Sequence, residues 1–279
     1  MWKSELGFTT ETLAETVKAY SAAMKAVDPS IKIAVSWRDI EGIISACGDA
    51  LDFVTISDYT GNLFHTYDSY ANRENVKMTN LYKSTSKKII VSEFGPILFE
   101  GQQGATGDSN IDNANNTGRG ILTFDQIGQM ISSNNCEYAC FWNTRWFDEG
   151  DLLYDAFDDM NHTRPTSLAL TIWGNYLLDN MVSTTSKIGS IVSYASVDSS
   201  TGNLNIFLIN KKEEAQVLNV GIASDSTYKN SADVWQYKGN SNTDKNATWG
   251  KVGTTSVDEN LIQDLNLPGT SITVLVIIN

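Results

Sequence analysis

Cysteine and histidine are scarce in this 279-residue chain, which holds three Cys and two His. An odd number of cysteines cannot all pair, and Cys136 and Cys140 lie on a predicted strand, where four residues span roughly 13 Å, too far for a disulfide. Two histidines are too few for a His-rich metal centre. We therefore expect reduced thiols, no disulfide framework, no metal site and no cofactor.

Long apolar runs and basic clusters are missing too. Without 18 consecutive apolar residues no membrane span is predicted, and a formal net charge of −13 disfavours nucleic acids and anionic membranes as partners. Phosphate-binding loops, Rossmann fingerprints and Ser-His-Asp motifs are absent. Met1 is followed by a charged segment with no apolar core, so no signal peptide is predicted in this chain. The Asn-, Ser-, Thr- and Gly-rich loops nevertheless suit a parent protein that is secreted or extracytoplasmic.

Predicted strands and helices alternate up to about residue 183. Strands are predicted at 31–37, 52–57, 87–93 and 137–146, and helices at 10–27, 40–50, 65–84, 121–133 and 167–181. The first helix has an apolar face at helical spacing, formed by Leu13, Val17, Tyr20, Met24 and Val27. Strands that alternate with helices predict a parallel sheet built of βα units.

The pattern changes after residue 183. Short or alternating apolar strands are separated by Asn, Gly and Ser turns, and they are predicted at 188–195, 204–210, 217–222, 232–237 and 271–278. This pattern of short strands and polar turns is typical of an antiparallel β-sandwich. We therefore predict two domains, a parallel α/β domain over 1–183 and a β-sandwich over 184–279.

Glu93 ends the apolar run of the segment KKIIVSEFGP, residues 87–96. A continuous apolar run closed by Gly and Pro predicts a strand buried on both faces. Catalytic groups of α/β barrels lie at the carboxyl ends of such strands, and Glu is rarely buried unpaired. Glu93 is therefore a candidate catalytic carboxylate, and the alternative is a Glu that forms a salt bridge at a strand end.

Three features together resemble the clan A retaining glycoside hydrolases: VSEFGP at 91–96, FWNTRW at 141–146 and the helix followed by a sandwich at the end of the chain. The resemblance implies the C-terminal half of a (β/α)8 TIM barrel, strands five to eight, followed by the β-sandwich. It implies that Glu93 is the nucleophile and Trp142 the platform for a sugar ring. Tyr59, after the strand DFVTIS, would approach the nucleophile.

The same resemblance places the general acid/base upstream of the first helix, as a Glu that follows an Asn. No Asn-Glu pair precedes Thr9, and Glu5 is the nearby carboxylate, in a setting that looks like the loop beyond the motif. The acid/base half of the catalytic barrel is therefore expected to be missing from this chain.

Several residues near the predicted strand ends would support the chemistry. Tyr59 and Arg145 are candidate donors to an ionised nucleophile, with a rim tyrosine and a solvated arginine as the alternatives. Trp142 and Trp146 would stack on sugar rings and Asn143 would bond hydroxyls, although Trp146 could equally be a core residue. The acidic loop at 148–151 fits a solvated charge run better than a calcium site.

Within the clan, residues 144–182 look most like family 86 agarases and porphyranases, whereas DPSIK at 28–32 and VWQYKGNSNTDKNATW at 234–249 look like the xylosidases and arabinofuranosidases of families 39 and 51. Those families often carry a His on strand six, where Ser57 or Asp58 stands in this chain. We therefore expect a polysaccharide or oligosaccharide substrate, with a galactan favoured and an arabinofuranoside or xyloside as the alternative. A different hypothesis is an inactive, truncated carbohydrate-binding fragment. Open edges of a half-barrel could also pair, so self-association is a further expectation.

Overall fold

The structure of the protein is a computed structural model that describes residue 7 and residues 9–58, 67–71, 85–95, 115–145, 156–158, 160–224 and 228–279. The chain forms two compact units. The first comprises Met1–Asp58, Thr79–Phe94 and Ser133–Phe141, and the second comprises Tyr59–Met78, Gly95–Ser132 and Trp142–Asn279. These units divide the chain differently from the ranges 1–183 and 184–279, which stay a prediction about domains.

The first unit is built on a parallel sheet of four strands, in the order β1 (Ala34–Ser36), β2 (Phe53–Asp58), β3 (Lys88–Phe94) and β4 (Cys136–Phe141). Among the described residues of this unit, two helices accompany the sheet, α1 (Thr10–Val27) and α2 (Ile40–Cys47), with a 3-10 turn at Gly48–Ala50. The predicted parallel βα order is therefore confirmed in this unit.

Helix α1 begins where the sequence predicts, because Thr9 forms a capping box with Thr12. Its buried residues, however, are Ala14, Val17 and Ser21. The predicted apolar face was wrong in three of its five positions, since Tyr20, Met24 and Val27 are exposed. Helix α1 packs against α2 and the following 3-10 turn, and a single neighbouring helix covers only a narrow sector of a helix surface.

The prediction that β3 is buried on both faces was also wrong. Ile89 and Val91 are fully buried, whereas Ile90 is half-buried and Ser92 is exposed. The strand therefore has one core face and one partly open face, as strands have when side chains alternate across a sheet that is covered on one side.

In its described residues, the second unit contains three helices and two antiparallel sheets. The helices are α3 (Tyr67–Ala71), α4 (Thr117–Ile131) and α5 (Pro165–Tyr176). Eight strands follow: β5 (Asn180–Val182), β6 (Ile191–Val197), β7 (Leu204–Asn210), β8 (Gln216–Gly221), β9 (Ser231–Lys238), β10 (Thr248–Ser256), β11 (Leu261–Leu267) and β12 (Ser271–Ile277). One sheet has the order β10-β9-β12-β7-β6-β5, and the other pairs β11 with β8.

All seven residues of β7 are buried, because both faces of the six-stranded sheet are covered. On one face Phe207 and Ile209 join a core with residues of the three helices. On the other face Leu204, Ile206 and Leu208 join a second core with residues of β11. The unit therefore has three layers: helices, a large sheet and a two-stranded sheet. Among the described helices, none has both the length and the apolarity needed to cross a membrane.

Candidate functional site

Glu93 is the penultimate residue of β3, at the carboxyl end of the parallel sheet. Along the ladder with β2, Ile56 pairs with Val91. The next residue of β2, Ser57, pairs with Glu93, so Ser92 is skipped and forms a β-bulge. The Ser92 hydroxyl donates to the Ile56 carbonyl at 3.0 Å, which holds the bulge.

The bulge decides which face Glu93 occupies. Side chains of a regular strand alternate, so Glu93 would share the buried face of Val91 if Ser92 were not inserted. With the extra residue, that face passes to Phe94, which is 4% exposed. Glu93 instead lies on the partly open face and is half-buried.

The neighbours of Glu93 on this face come from β2 and β4. Ser57 is its direct cross-strand partner and is exposed. On the other side Phe94 pairs with Phe141, and their rings lie 5.5 Å apart on the opposite face. Cys140, one residue earlier in β4, therefore falls on the face of Glu93 and is also exposed. Glu93 thus shares this face with two exposed residues, Ser57 and Cys140.

Asp58 is a second carboxylate at the adjacent strand end. It is 8% exposed and pairs with Phe94, so it belongs to the face opposite Glu93. A retaining glycosidase needs two carboxyl groups about 5 to 5.5 Å apart on either side of one bond. Asp58 and Glu93 point away from each other and do not form such a pair.

Trp142 and Asn143 directly follow β4, and they belong to the second unit. The peptide bond between them is cis. The predicted strand end at residue 146 was wrong, since β4 ends at Phe141. Trp142 is 39% exposed, which is the condition for stacking against a ligand. Asn143 is 8% exposed, and its carbonyl accepts from the Ala156 amide at 3.1 Å. Its side-chain Oδ1 is buried without a hydrogen-bond partner in the part of the chain that the structure describes.

Arg145 belongs to the same segment of the second unit. Its Nη1 donates to the Asn161 side chain. Asn161 lies in a turn in which Asp158 accepts from the His162 backbone and ring, and these hydrogen bonds, the backbone one first, lower the pKa of Asp158. The role of Arg145 as a donor to the nucleophile stays a prediction.

The remaining predicted ligands lie outside the described residues. These are Tyr59 and Trp146, together with Glu5 and the acidic loop at 148–151. Their predicted roles are untested.

A buried polar cluster in the second unit was missed by the sequence analysis. Asp125 of α4 accepts from the hydroxyls of Tyr70, at 2.7 Å, and Tyr194, at 2.5 Å, and from the Gln129 amide at 3.3 Å. The Lys211 ammonium lies 5.0 Å from the centre of the Tyr70 ring. The signal that could have revealed this cluster in the sequence was the carboxylate of Asp125 on the apolar side of α4. Because these groups are closed off from solvent, they bind α3 and α4 to the six-stranded sheet and are not a substrate site.

Burial makes the thiols of Cys47 and Cys136 unsuited to nucleophilic chemistry. The three cysteines are free, and burial raises the pKa of Cys136 to about 11, with the charges of Asp58 and Glu137 acting in the same direction. Burial also raises the pKa of Cys47. A thiol that keeps its proton at neutral pH is a poor nucleophile and a poor metal ligand. Among the described residues, no three His, Cys, Asp or Glu side chains are grouped so as to hold a metal ion.

Comparisons with known proteins identify relatives by structure alone. No protein-family model matches the chain, and no curated protein matches its sequence. A GH51 α-L-arabinofuranosidase from Thermotoga petrophila is similar with a TM-score of 0.70 and 16% identity, over 96% of this chain and 62% of the enzyme.

Two further solved structures are a bifunctional glucanase-xylanase from a metagenome library and a family 30 xylanase from Clostridium acetobutylicum. The first has a TM-score of 0.65 and 16% identity, over 97% of this chain and 60% of the enzyme. The second has a TM-score of 0.61 and 15% identity, over 98% of this chain and 61% of the enzyme. The chain therefore spans about 60% of the length of these glycoside hydrolases, consistent with a partial barrel, and at such identities the likeness shows the fold alone.

Proposed function

We propose that the chain is the nucleophile-bearing half of a retaining O-glycoside hydrolase, with Glu93 as the nucleophile. The observation that carries the proposal is the half-buried Glu93 at the carboxyl end of a parallel strand, on a face with exposed neighbours. The likeness in fold to enzymes described as an arabinofuranosidase, a xylanase and a glucanase-xylanase supports it. The antiparallel sheets would be its accessory β-sandwich.

In the proposed reaction a Glu93 oxygen attacks the anomeric carbon of the sugar while the bond to the leaving oxygen breaks. A glycosyl ester forms, and water then hydrolyses it, which releases the sugar and restores the carboxylate. A second carboxyl group normally protonates the leaving oxygen and later deprotonates the water. Among the described strand ends of the first unit, Glu93 is the one carboxylate on its face, so no described residue is assigned as the acid/base.

The segment after β4 would bind the sugar. Trp142, which is 39% exposed, would stack on the apolar side of a pyranose or furanose ring. Asn143 is proposed to bond sugar hydroxyls. Tyr59, Arg145 and Trp146 are proposed as further ligands.

A galactan of the agarase type is the favoured substrate, because of the resemblance of residues 144–182. An arabinofuranoside or xyloside is the second candidate, and the fold likeness to a solved arabinofuranosidase and a solved xylanase favours it. A fragment that only binds carbohydrate is the alternative to both.

The test uses sugars that need no acid catalyst. Dinitrophenyl 2-fluoro-glycosides carry a leaving group that departs unprotonated, and the fluorine slows hydrolysis of the glycosyl ester. We expect a β-galactoside, α-arabinofuranoside or β-xyloside of this type to add one sugar mass to the chain, with the label on Glu93 by peptide mass spectrometry.

Two variants make the test specific. Glu93→Gln should slow labelling by about a thousandfold or more. Glu137→Gln is the matched control, since Glu137 is a carboxylate of the neighbouring strand β4 that is ion-paired with Lys88 at 3.6 Å, and it should label like the wild type. Equal labelling of the Glu93 variant, or no labelling by any of the three sugars, contradicts the proposal.

A further inference from the structure

Three aromatic side chains of the second unit meet at the margin of its helix-sheet core. Tyr176 is the last residue of α5, and Trp235 and Trp249 lie on the neighbouring strands β9 and β10. The two indole rings are 5.7 Å apart and within 24° of parallel, and the Tyr176 ring lies 5.4 Å from one and 5.5 Å from the other. All three residues are half-buried. We call Tyr176, Trp235 and Trp249 the aromatic trio.

The strand register places two charged side chains beside the trio. Lys251 of β10 is the direct cross-strand partner of Trp235, and directly opposite residues of an antiparallel pair share a face of the sheet. Asp233 lies two residues before Trp235 on β9 and therefore shares that face too. The Lys251 and Asp233 side chains are ion-paired at 2.7 Å, and they are 43% and 41% exposed. Burial and then the charge of Asp233 raise the pKa of Tyr176, as expected for a carboxylate near its ring.

Packing accounts for only part of this arrangement. The trio does pack against the helix-sheet core. A wholly structural aromatic on the same strand looks different: Tyr237 of β9 is fully buried and donates its hydroxyl to the Thr117 carbonyl at 3.1 Å. The trio is instead partly open and lies beside exposed charges. Aromatic surface with a few placed polar groups is what small-molecule sites are made of.

The chemistry of the patch favours a sugar ring. A pyranose has an apolar C–H face, which would contact the trio, and a rim of hydroxyls. At that rim Asp233 accepts hydrogen bonds and Lys251 donates them. The opposite charges of this pair cancel, and the formal net charge of the chain is −13, so a neutral sugar is favoured over an anionic one.

The size of the patch also favours a small ligand over a protein. Full burial of one Trp or Tyr removes about 150 to 250 Å² from solvent, so three half-buried rings offer a few hundred Å² at most. A stable protein interface buries about 800 Å² per partner. The trio is therefore large enough for one or two sugar rings and too small for a folded partner.

We propose that the aromatic trio, with Asp233 and Lys251, binds a neutral oligosaccharide, as a second sugar site formed by residues other than Glu93 and Trp142. The choice of a sugar rests in part on the proposed function, because a chain that cleaves glycosides encounters carbohydrate. The site does not need Glu93 to be the nucleophile. On a polysaccharide it would hold the polymer and so raise the effective concentration of glycosidic bonds at the catalytic site.

The experiment is isothermal titration of the Glu93→Gln chain, which should not cleave the ligand, with neoagarohexaose, xylohexaose and cellohexaose. We expect at least one to bind with a Kd of about 1 mM or tighter and to change the tryptophan fluorescence, since two of the seven Trp lie in the site. In this background, Trp235→Ala should weaken binding about tenfold or more. Lys251→Met should weaken it by a similar factor, because a charged donor is lost.

The lysine variant keeps the test valid if the tryptophan variant does not fold, because the Lys251 side chain is largely exposed. Lys88→Met is the matched control. Lys88 is ion-paired with Glu137 at 3.6 Å and its side chain is 50% exposed, but it belongs to the first unit, so this variant should bind like its parent. An oligogalacturonate of the same length should bind at least tenfold more weakly, and equal binding would contradict a neutral ligand.

Three results would overturn the inference: no binding of any of the three hexasaccharides, unchanged binding by folded Lys251→Met, or binding that Trp142→Ala alone abolishes. Self-association that Lys251→Met abolishes in sedimentation velocity would assign the patch to a protein partner and would also overturn it. Labelling of Glu93 without oligosaccharide binding refutes this site alone. Oligosaccharide binding without labelling refutes the proposed nucleophile alone.

Discussion

Three buried tyrosines make the second unit sensitive to alkali. Burial raises the pKa of Tyr70, Tyr194 and Tyr237 well above the usual value of 10. The nearby charge of Asp125 raises the pKa of Tyr70 and Tyr194 further. The folded chain therefore keeps the three tyrosine hydroxyl protons at a pH at which the unfolded chain has released them.

The sign of the effect follows from proton counting. Below pH 10 the folded and unfolded chains both keep the tyrosine protons, so these groups cause no change in stability. Above pH 10 the unfolded chain loses them and the folded chain does not, so the free energy of unfolding falls by about 1.4 kcal/mol per pH unit for each tyrosine. For three tyrosines the loss between pH 8 and pH 11 is about 4 kcal/mol.

The perturbation is Tyr194→Phe. At pH 8 it removes a hydroxyl that donates to the buried Asp125 carboxylate at 2.5 Å, which should cost about 1.5 to 3 kcal/mol. The variant has one fewer group to titrate. Its stability penalty should therefore shrink by about 1.4 kcal/mol between pH 8 and pH 11.

The assay is urea unfolding followed by tryptophan fluorescence at a series of pH values. Gln129→Ala is the matched control, because it removes a donor to the same carboxylate, at 3.3 Å, without removing a titrating proton. Its penalty should stay constant with pH. A constant penalty for Tyr194→Phe up to pH 11, in protein that is still folded, would refute the reasoning.

Two further predictions concern helix glycines and a turn. Gly120→Ala should destabilise the protein by about 2 kcal/mol or more in a thermal melt, since the new Cβ would lie 2.1 Å from the Tyr237 hydroxyl. Gly174→Ala, in the neighbouring helix, should stabilise the protein by about 0.5 to 1 kcal/mol, because no atom lies within 4 Å of the new Cβ. Equal effects of the two substitutions on stability would contradict the close contact between Gly120 and Tyr237. Ser200 and its neighbours lower the pKa of Asp198 to about 2. The stability lost in Asp198→Ala should therefore be present above pH 4 and fade as the pH falls through about 2, whereas a penalty that persists at pH 1.5 would contradict it.

The helices and the more apolar strands were predictable from the sequence. Their apolar runs and caps are local signals, as at Thr9 for α1 and Asn116 for α4. The strands β5, β10 and β11 were missed. Strand β10, TWGKVGTTS, lies at a sheet edge and is mostly exposed, so it carries little apolar pattern. In β11 a register shift between Ile262 and Leu265 breaks the alternation that marks a strand.

Burial was less predictable than secondary structure, because it depends on which surfaces meet. Val27 and Val17 look alike in the sequence of α1, yet Val27 is 87% exposed and Val17 is 9% exposed. The buried Asp125 cluster has the same origin. Its partners Tyr70 and Tyr194 lie 55 and 69 residues away in sequence, and no local pattern brings them together.

The position of Glu93 shows where sequence reasoning about the site stops. Catalytic groups of α/β barrels lie at strand ends. The end of this strand follows from the length of its apolar run, so the sequence alone identifies Glu93 as a candidate. The face on which Glu93 lies depends on the parity of every residue before it, and the inserted Ser92 reverses that parity. In a regular strand Glu93 would share the buried face of Val91, where an ionised carboxylate is costly. The same irregularity that breaks the alternation thus moves the carboxylate from the buried face to the face of Ser57 and Cys140, and departures from local rules are expected at sites that serve function.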